Sequence, residues 1–264
     1  MSDTWKKYLH RVRREEIEIA FSSFRKKEFQ NGLELGSGEG YQSTMLINYC
    51  NKLICTELND DRLMRRNIVV VEYKICDAEK IEIYFDTMKF DLIFSSNMFE
   101  HLPNPDLALL GIKKILSKSG IVILIMPSSF WAICHLVLYY PVTILNTIRR
   151  KIFNRKDKIK MKLEKNNVKK SNNLKAERIK RTFFLNFIRW PYPHGVSKSN
   201  FQEIINFNKQ SWIKLFIKNG YRIIDIKKGP ITSGYGLNFD SIRYFLQCIG
   251  LTSEHIYYIK VNDG

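Results

Sequence analysis

Gly32-Leu33-Glu34-Leu35-Gly36-Ser37-Gly38-Glu39-Gly40-Tyr41 decides the fold. A short apolar run ends in an acid, and three glycines follow at alternate positions. That order predicts a buried strand, a tight turn and the start of a helix. Glycine permits positive φ and lets a ligand approach the backbone without meeting a Cβ. The unpaired N–H groups that open the next helix then face that ligand. A dinucleotide fingerprint would need glycine where Tyr41 stands, and a P-loop would need Gly-Lys-Ser/Thr; neither is present.

Working outward, the acids that follow successive strands are the next signals. Lys52–Thr56 is a second apolar run and ends at Glu57, 21 residues after Gly36. In doubly wound sheets an acid about 20 residues on accepts hydrogen bonds from ribose hydroxyls. Two charge-assisted bonds of roughly 1.5–3 kcal/mol each would favour a carboxylate there. Leu58 follows it. Val69–Cys76 reads as a third strand closed by Asp77-Ala78, where Asp77 also suits a turn cap. Phe90–Asn97 reads as a fourth strand running into Met98-Phe99-Glu100-His101-Leu102. Gly120–Met126 is a fifth, an unbroken apolar run of the kind found at the centre of a parallel sheet.

The pattern Glu34-x-Gly36-x-Gly38-x-Gly40 resembles motif I of class I S-adenosylmethionine-dependent methyltransferases. The Asn97–Leu102 block, with its Glu-His-Leu, resembles the corresponding region of the "type 11" small-molecule group. The resemblance covers residues 30–128 and resumes at Ser211–Ile224. It implies an α/β, doubly wound Rossmann-like sheet of seven strands, the last (His255–Val261) antiparallel. It implies S-adenosylmethionine as cofactor, with Glu34, Gly36, Ser37, Gly38, Gly40, Glu57, Leu58, Asp77, Ala78 and Asn97 as cofactor-binding positions. In such a family the ribose falls to Glu57, the adenine to Asp77-Ala78 and the methionine end to the glycine loop and Asn97.

The rest of the chain sets the organisation. Residues 1–29 read as an N-terminal helix on the domain edge, with Trp5, Tyr8, Leu9 and Val12 on one face. The methyltransferase domain is expected at 30–128 and 210–264, and 129–209 is expected to be an inserted helical and basic cap. Phe130–Ile148 is apolar and rich in aromatics, yet His135, Pro141, Thr143 and Asn146 interrupt it, so a membrane span is rejected. The net charge is +17, and between Arg149 and Arg181 fifteen Lys or Arg face three acids. That segment carries +12 and leaves about +5 for everything else, near the value for an ordinary domain. An apolar helix adjoining such charge suits an anionic membrane surface, giving peripheral contact through 130–181 as one expectation. Nucleic acid is disfavoured, because arginine–aromatic interleaving is missing from the basic run.

Five scattered cysteines form no CxxC pair or Cys/His cluster, so reduced thiols, no metal and a cytoplasmic setting are expected. No basic-then-apolar leader opens the chain. Phe187–Gly195 is a stiff loop whose Arg189, Trp190 and Tyr192 are expected to meet the substrate. An alcohol acceptor must lose its proton, for which His101 and His194 are the candidate catalytic residues. No Asn/Asp-Pro-Pro-Tyr/Phe motif is present, which disfavours transfer to a base amino group. The reading is O-methylation of a sugar, sugar phosphate or lipid-linked surface-glycan precursor. The alternatives are an RNA methyltransferase and a non-catalytic module that keeps the fold and docks at membranes.

Overall fold

The computed structural model describes residues 3–62, 71–164, 191–232, 235 and 240–262. Seven strands form one sheet in the order β3-β2-β1-β4-β5-β7-β6. The strands are β1 (Phe29–Leu35), β2 (Cys50–Glu57), β3 (Val71–Ile75), β4 (Phe90–Ser96), β5 (Leu116–Pro127), β6 (Tyr221–Lys228) and β7 (Glu254–Val261). The first five pair in parallel, and β7 lies antiparallel between β5 and β6. The expected seven-stranded α/β sheet with an antiparallel last strand is therefore observed.

Helices cover both faces, as a mostly parallel sheet requires. They are α1 (Asp3–Ala20), α2 (Ser43–Leu46), α3 (Ile81–Tyr84), α4 (Pro105–Ile115), α5 (Ser129–Glu164), α6 (Asn200–Asn206), α7 (Lys209–Lys218) and α8 (Asp240–Cys248). Side chains alternate along each strand, so one apolar run feeds two cores. Ile93, Val122, Leu124 and Tyr257 meet Leu109 and Ile112 of α4 and Phe216 of α7. Their neighbours Phe94, Ile123, Ile125 and Tyr258 meet Ile17 and Ala20 of α1 together with Phe21 and Leu46.

Several boundaries differ from the sequence reading. Helix α1 stops at Ala20, nine residues before β1 begins at Phe29. Tyr258 Oη donates to the Ala20 carbonyl at 2.7 Å and ties off that helix end. The helix expected over 41–49 shrinks to α2 flanked by turns. At Asp60 a 3-10 turn forms through Arg62, and the remainder of that expected helix lies outside the described residues. Helix α5 runs on through Pro141 to Glu164, and within the basic segment 165–181 lies outside the described residues. Among the described residues no helix is long and apolar enough to cross a membrane.

The site follows from topology. The chain builds β1, β2 and β3 in one direction, then returns to place β4 on the other side of β1. At such a switch point the loops leaving adjacent strands diverge and open a crevice at the carboxyl ends. The loops after β1 and β4 begin with Gly36 and Asn97.

Candidate active site

The glycine turn is built to expose backbone. Gly36 and Gly38 have φ of +73° and +53°. A Cβ on Gly36 would lie 2.7 Å from Met98 Cγ, whereas one on Gly38 would meet nothing within 4 Å. Gly36 is thus held by contact and conformation, and Gly38 by conformation beside open space. Gly36 and Ser37 both donate to the Thr56 carbonyl, which fastens the turn to β2. Gly40 (φ +69°) closes the turn by donating to the Ser37 carbonyl.

A cavity of about 580 Å³ opens over this turn. It is lined by Gly36, Ser37 and Gly38 after β1; by Glu57 and Leu58 after β2; and by Asp77 and Ala78 after β3. Asn97 and His101 after β4 complete that wall. Four strand ends that are remote in sequence therefore meet at one concavity. Glu57 accepts the Gly38 N–H at 2.9 Å, which links the second strand end to the turn. Asp77 accepts the Glu79 N–H at 2.9 Å, so it caps a turn as well as lining the cavity. Asn97 holds a left-handed φ of +50°, a conformation that concentrates at functional sites.

Glu34 and Gly40, expected among the cofactor contacts, do not line the cavity. Glu34 is buried beneath the turn, where its carboxylate accepts from Ser43 of α2 and from the Cys55 thiol. Burial raises its pKa. It anchors the strand–turn–helix unit from below.

Helix α1 lies over the crevice, which corrects the expectation of a simple edge helix. His10 bonds to Glu39 at 2.6 Å and stacks on Tyr41 with ring centroids 3.7 Å apart. One turn on, Arg13 binds Glu16 and donates to Ser96 Oγ at 2.8 Å. Glu16 also accepts from Gln42 and Ser96. This network joins α1 to the segment after the glycine turn and to the end of β4.

A second cavity of about 190 Å³ adjoins the first. The two share Leu9, Arg13 and Asn97 as lining residues. Its other walls carry the aromatics Trp5, Tyr8 and Trp131, the imidazoles His135 and His194, and the carboxylates Glu16, Glu100 and Glu254. Burial pushes Glu100 up to about 8. Burial and the neighbouring Glu16 raise Glu254 well above the carboxylate range. Crowding of its ring by the surrounding groups, with the charges of His101 and His135, lowers the His194 pKa, although the residue as a whole keeps an exposed surface.

His194 arrives from a distant loop that is tied to Glu100. Its backbone N–H donates to Glu203 of α6 at 2.8 Å, and the Val196 N–H donates to the Glu100 carbonyl. A Cβ on the intervening Gly195 would come within 2.5 Å of that carbonyl oxygen. Only glycine lets the two backbones approach so closely. The His101 and His194 rings then stand 4.8 Å apart, with Trp131 on the other edge of His194. His101 is about 45% exposed and lines the larger cavity.

Both candidate bases are thus brought together, whereas Tyr192 is 68% exposed and lines neither cavity. Arg189 and Trp190 lie outside the described residues. Sequence reasoning missed Arg13, Glu16, Glu100 and Glu254. Arg13 and Glu16 fall at helical spacing beside the apolar face of α1, which was the available signal. Glu100 stood in the Glu-His-Leu block without a role. Glu254 is separated from all of these by most of the chain.

A sheet of this order, with a glycine turn after β1 and acids after β2 and β3, has the architecture of the class I methyltransferases. Residues 33–124 match the family model described as a methyltransferase domain. Over that stretch the chain is similar to methyltransferases, and its fold is the Rossmann-like one of the class I S-adenosylmethionine-dependent enzymes. Among solved structures it resembles the putative methyltransferase complexed with the Trm112 activator of Haloferax volcanii, at 11% identity. That match covers 98% of this chain and 95% of the other, with a TM-score of 0.56. A putative S-adenosylmethionine-dependent methyltransferase from Listeria monocytogenes aligns at 12% identity and TM-score 0.54, covering 95% and 98%. The plantazolicin methyltransferase BamL aligns at 13% and 0.51, covering 98% and 86%. At such identities the likeness is one of fold. No curated protein matches the sequence.

Proposed function

We propose that this chain transfers the methyl group of S-adenosylmethionine to a hydroxyl oxygen of a small acceptor. The acceptor class is a sugar, sugar phosphate or lipid-linked surface-glycan precursor. The observation that carries the reading is the pair of adjoining cavities sharing Leu9, Arg13 and Asn97. A donor seated over the glycine turn and an acceptor in the smaller cavity would meet along that shared wall.

The residues present suit the cofactor. Ser37 Oγ is buried at the cavity without a hydrogen-bond partner, and Gly38 leaves open space above the turn. The Glu57 carboxylate would take the ribose hydroxyls, Asp77 and Ala78 the adenine, and Ser37, Gly38 and Asn97 the amino-acid end. When bound, the cofactor supplies an electrophilic methyl group on a sulfonium. Transfer of that kind depends mainly on positioning, so holding the acceptor at the junction is the chief task of the chain.

The acceptor-side residues divide the remaining work. Trp131, Trp5 and Tyr8 offer flat apolar faces, and Glu16, Glu100 and Glu254 offer hydrogen-bond acceptors. Rings and carboxylates together suit a ligand with C–H faces and hydroxyl edges. The Glu100–His101–His194 cluster supplies the proton acceptor that an alcohol requires. Trp131, His135 and His194, which cap the acceptor cavity, all come from the described parts of 129–209. Ile133, Val137, Leu145 and Ile148 stand exposed along α5, ahead of the basic run. They favour peripheral contact with an anionic membrane, where a lipid-linked acceptor would reside.

Calorimetric titration with S-adenosylmethionine, followed by transfer of its labelled methyl group to sugar and lipid-linked glycan fractions, tests this reading. Cofactor binding with label in a glycan fraction is expected. Label confined to RNA, or no heat at millimolar cofactor, overturns it.

A further inference from the structure

We propose that Glu100, His101 and His194 bind a divalent transition-metal cation, of the zinc or iron(II) type, between the two cavities. Each residue offers one ligand atom, and these atoms all lie within 4.8 Å of one another. Two imidazoles and one carboxylate are the donor set these cations favour when some coordination positions stay open.

The second observation is the Glu100 carboxylate itself. It is 3% exposed, and neither oxygen has a hydrogen-bond partner. As an anion such a buried carboxylate is costly, so either a proton or a cation must neutralise it, and a cation can do so while using both neighbouring imidazoles. Arg13 does not fill that role by contact, because its guanidinium bonds to Glu16 and Ser96. The imidazole of His101 approaches Glu100 Oε1 only to 3.9 Å. The space among the three donors is therefore polar.

The frame around the three donors is already tied. Glu100 and His101 are adjacent in the turn Phe99–His101. The loop bearing His194 is bound to the Glu100 carbonyl through Val196 and to Glu203 through the His194 N–H. Donors on one zinc-type ion stand roughly 3.3 Å apart at typical bond lengths. Closing from 4.8 Å calls for a small side-chain rotation, which the half-exposed His101 has room to make.

His101 lines the larger cavity, and Glu100 and His194 line the smaller one. Open coordination positions on the ion would thus face the junction. Resting on the methyl-transfer reading above, this ion would hold the acceptor oxygen and ease loss of its proton, as metals do for bound water.

The test uses the full chain stripped with a chelator. Zn²⁺ is titrated by calorimetry, and Co²⁺ by its visible absorption. One equivalent of each per chain is expected, with Co²⁺ bands of nitrogen and oxygen coordination. E100Q and H194A should each weaken Zn²⁺ binding roughly tenfold or more, while H255A, a half-buried imidazole outside the cluster, leaves it unchanged. Retained S-adenosylmethionine binding by E100Q and H194A reports an intact fold. The proposal is overturned if the wild-type chain binds neither cation stoichiometrically, or if both cluster variants bind Zn²⁺ as tightly as wild type. Metal binding without any cofactor binding would instead overturn the methyltransferase reading and leave the metal site standing.

Discussion

The two adjoining cavities are built in opposite ways. The larger draws most of its wall from residues that directly follow β1, β2, β3 and β4, so each contribution is local to a strand end. The smaller collects Trp5 and Glu16 from α1, Glu100 after β4, Trp131 and His135 from α5, His194 from a loop and Glu254 from β7. A cofactor common to a class can be held by a repeated solution at the sheet edge. An acceptor particular to one protein is met by side chains that the fold happens to converge there.

Substitutions on the two walls should separate. The largest effect is expected for Gly36→Val, where a positive φ and the 2.7 Å approach to Met98 both oppose a side chain. Cofactor affinity should fall roughly 100-fold, about 2.7 kcal/mol, by calorimetry. A variant that folds and binds normally would remove the turn from the cofactor site. Next, Glu57→Ala should weaken cofactor binding about tenfold, near 1.4 kcal/mol. Because Glu57 also accepts the Gly38 N–H, Glu57→Gln separates lost charge from lost turn geometry.

On the other wall, Trp131→Ala removes the ring beside His135 and His194. The acceptor KM should rise several-fold, about 1 kcal/mol, while cofactor affinity stays put. An equal loss on both ligands would erase the division between the cavities. The smallest effect belongs to Asp106, which lines neither cavity. Lys218 and Asn219 lower its pKa. A depressed carboxyl contributes stability above its unfolded pKa and loses it as pH falls through the folded one. Being largely exposed, the pair is worth about 0.2–1 kcal/mol. Asp106→Asn should lower the unfolding midpoint slightly at pH 7, and the difference should vanish at acid pH once the carboxyl is protonated in both the folded and unfolded states.

Legibility followed the same division. The glycine turn, Glu57, Asp77-Ala78 and Asn97 were readable because strand ends announce themselves by an apolar run that stops. Their spacing reflects one strand–helix unit at a time. The place of Glu34 was not legible, because an acid beneath a turn and an acid facing a ligand look alike in one dimension. Only burial and its bonds to Ser43 and Cys55 distinguish them. Tyr192 was misplaced for a related reason: the loop's stiffness was legible, but the side its aromatics take was not.

By itself the sequence determined the strand–helix order of the sheet and the glycine turn after its first strand, while the antiparallel last strand was implied by the resemblance to class I methyltransferases. Alternating and continuous apolar runs dictate burial locally, and glycine dictates φ locally. Only the tertiary structure decided that Arg13 lines both cavities, that His194 meets His101, and that the Glu100 carboxylate is buried with neither oxygen hydrogen-bonded. Those juxtapositions depend on contacts between segments far apart in the chain, such as the Gly195 approach to the Glu100 carbonyl. No local pattern encodes them, because each becomes definite only once the helices have packed on both faces of the sheet.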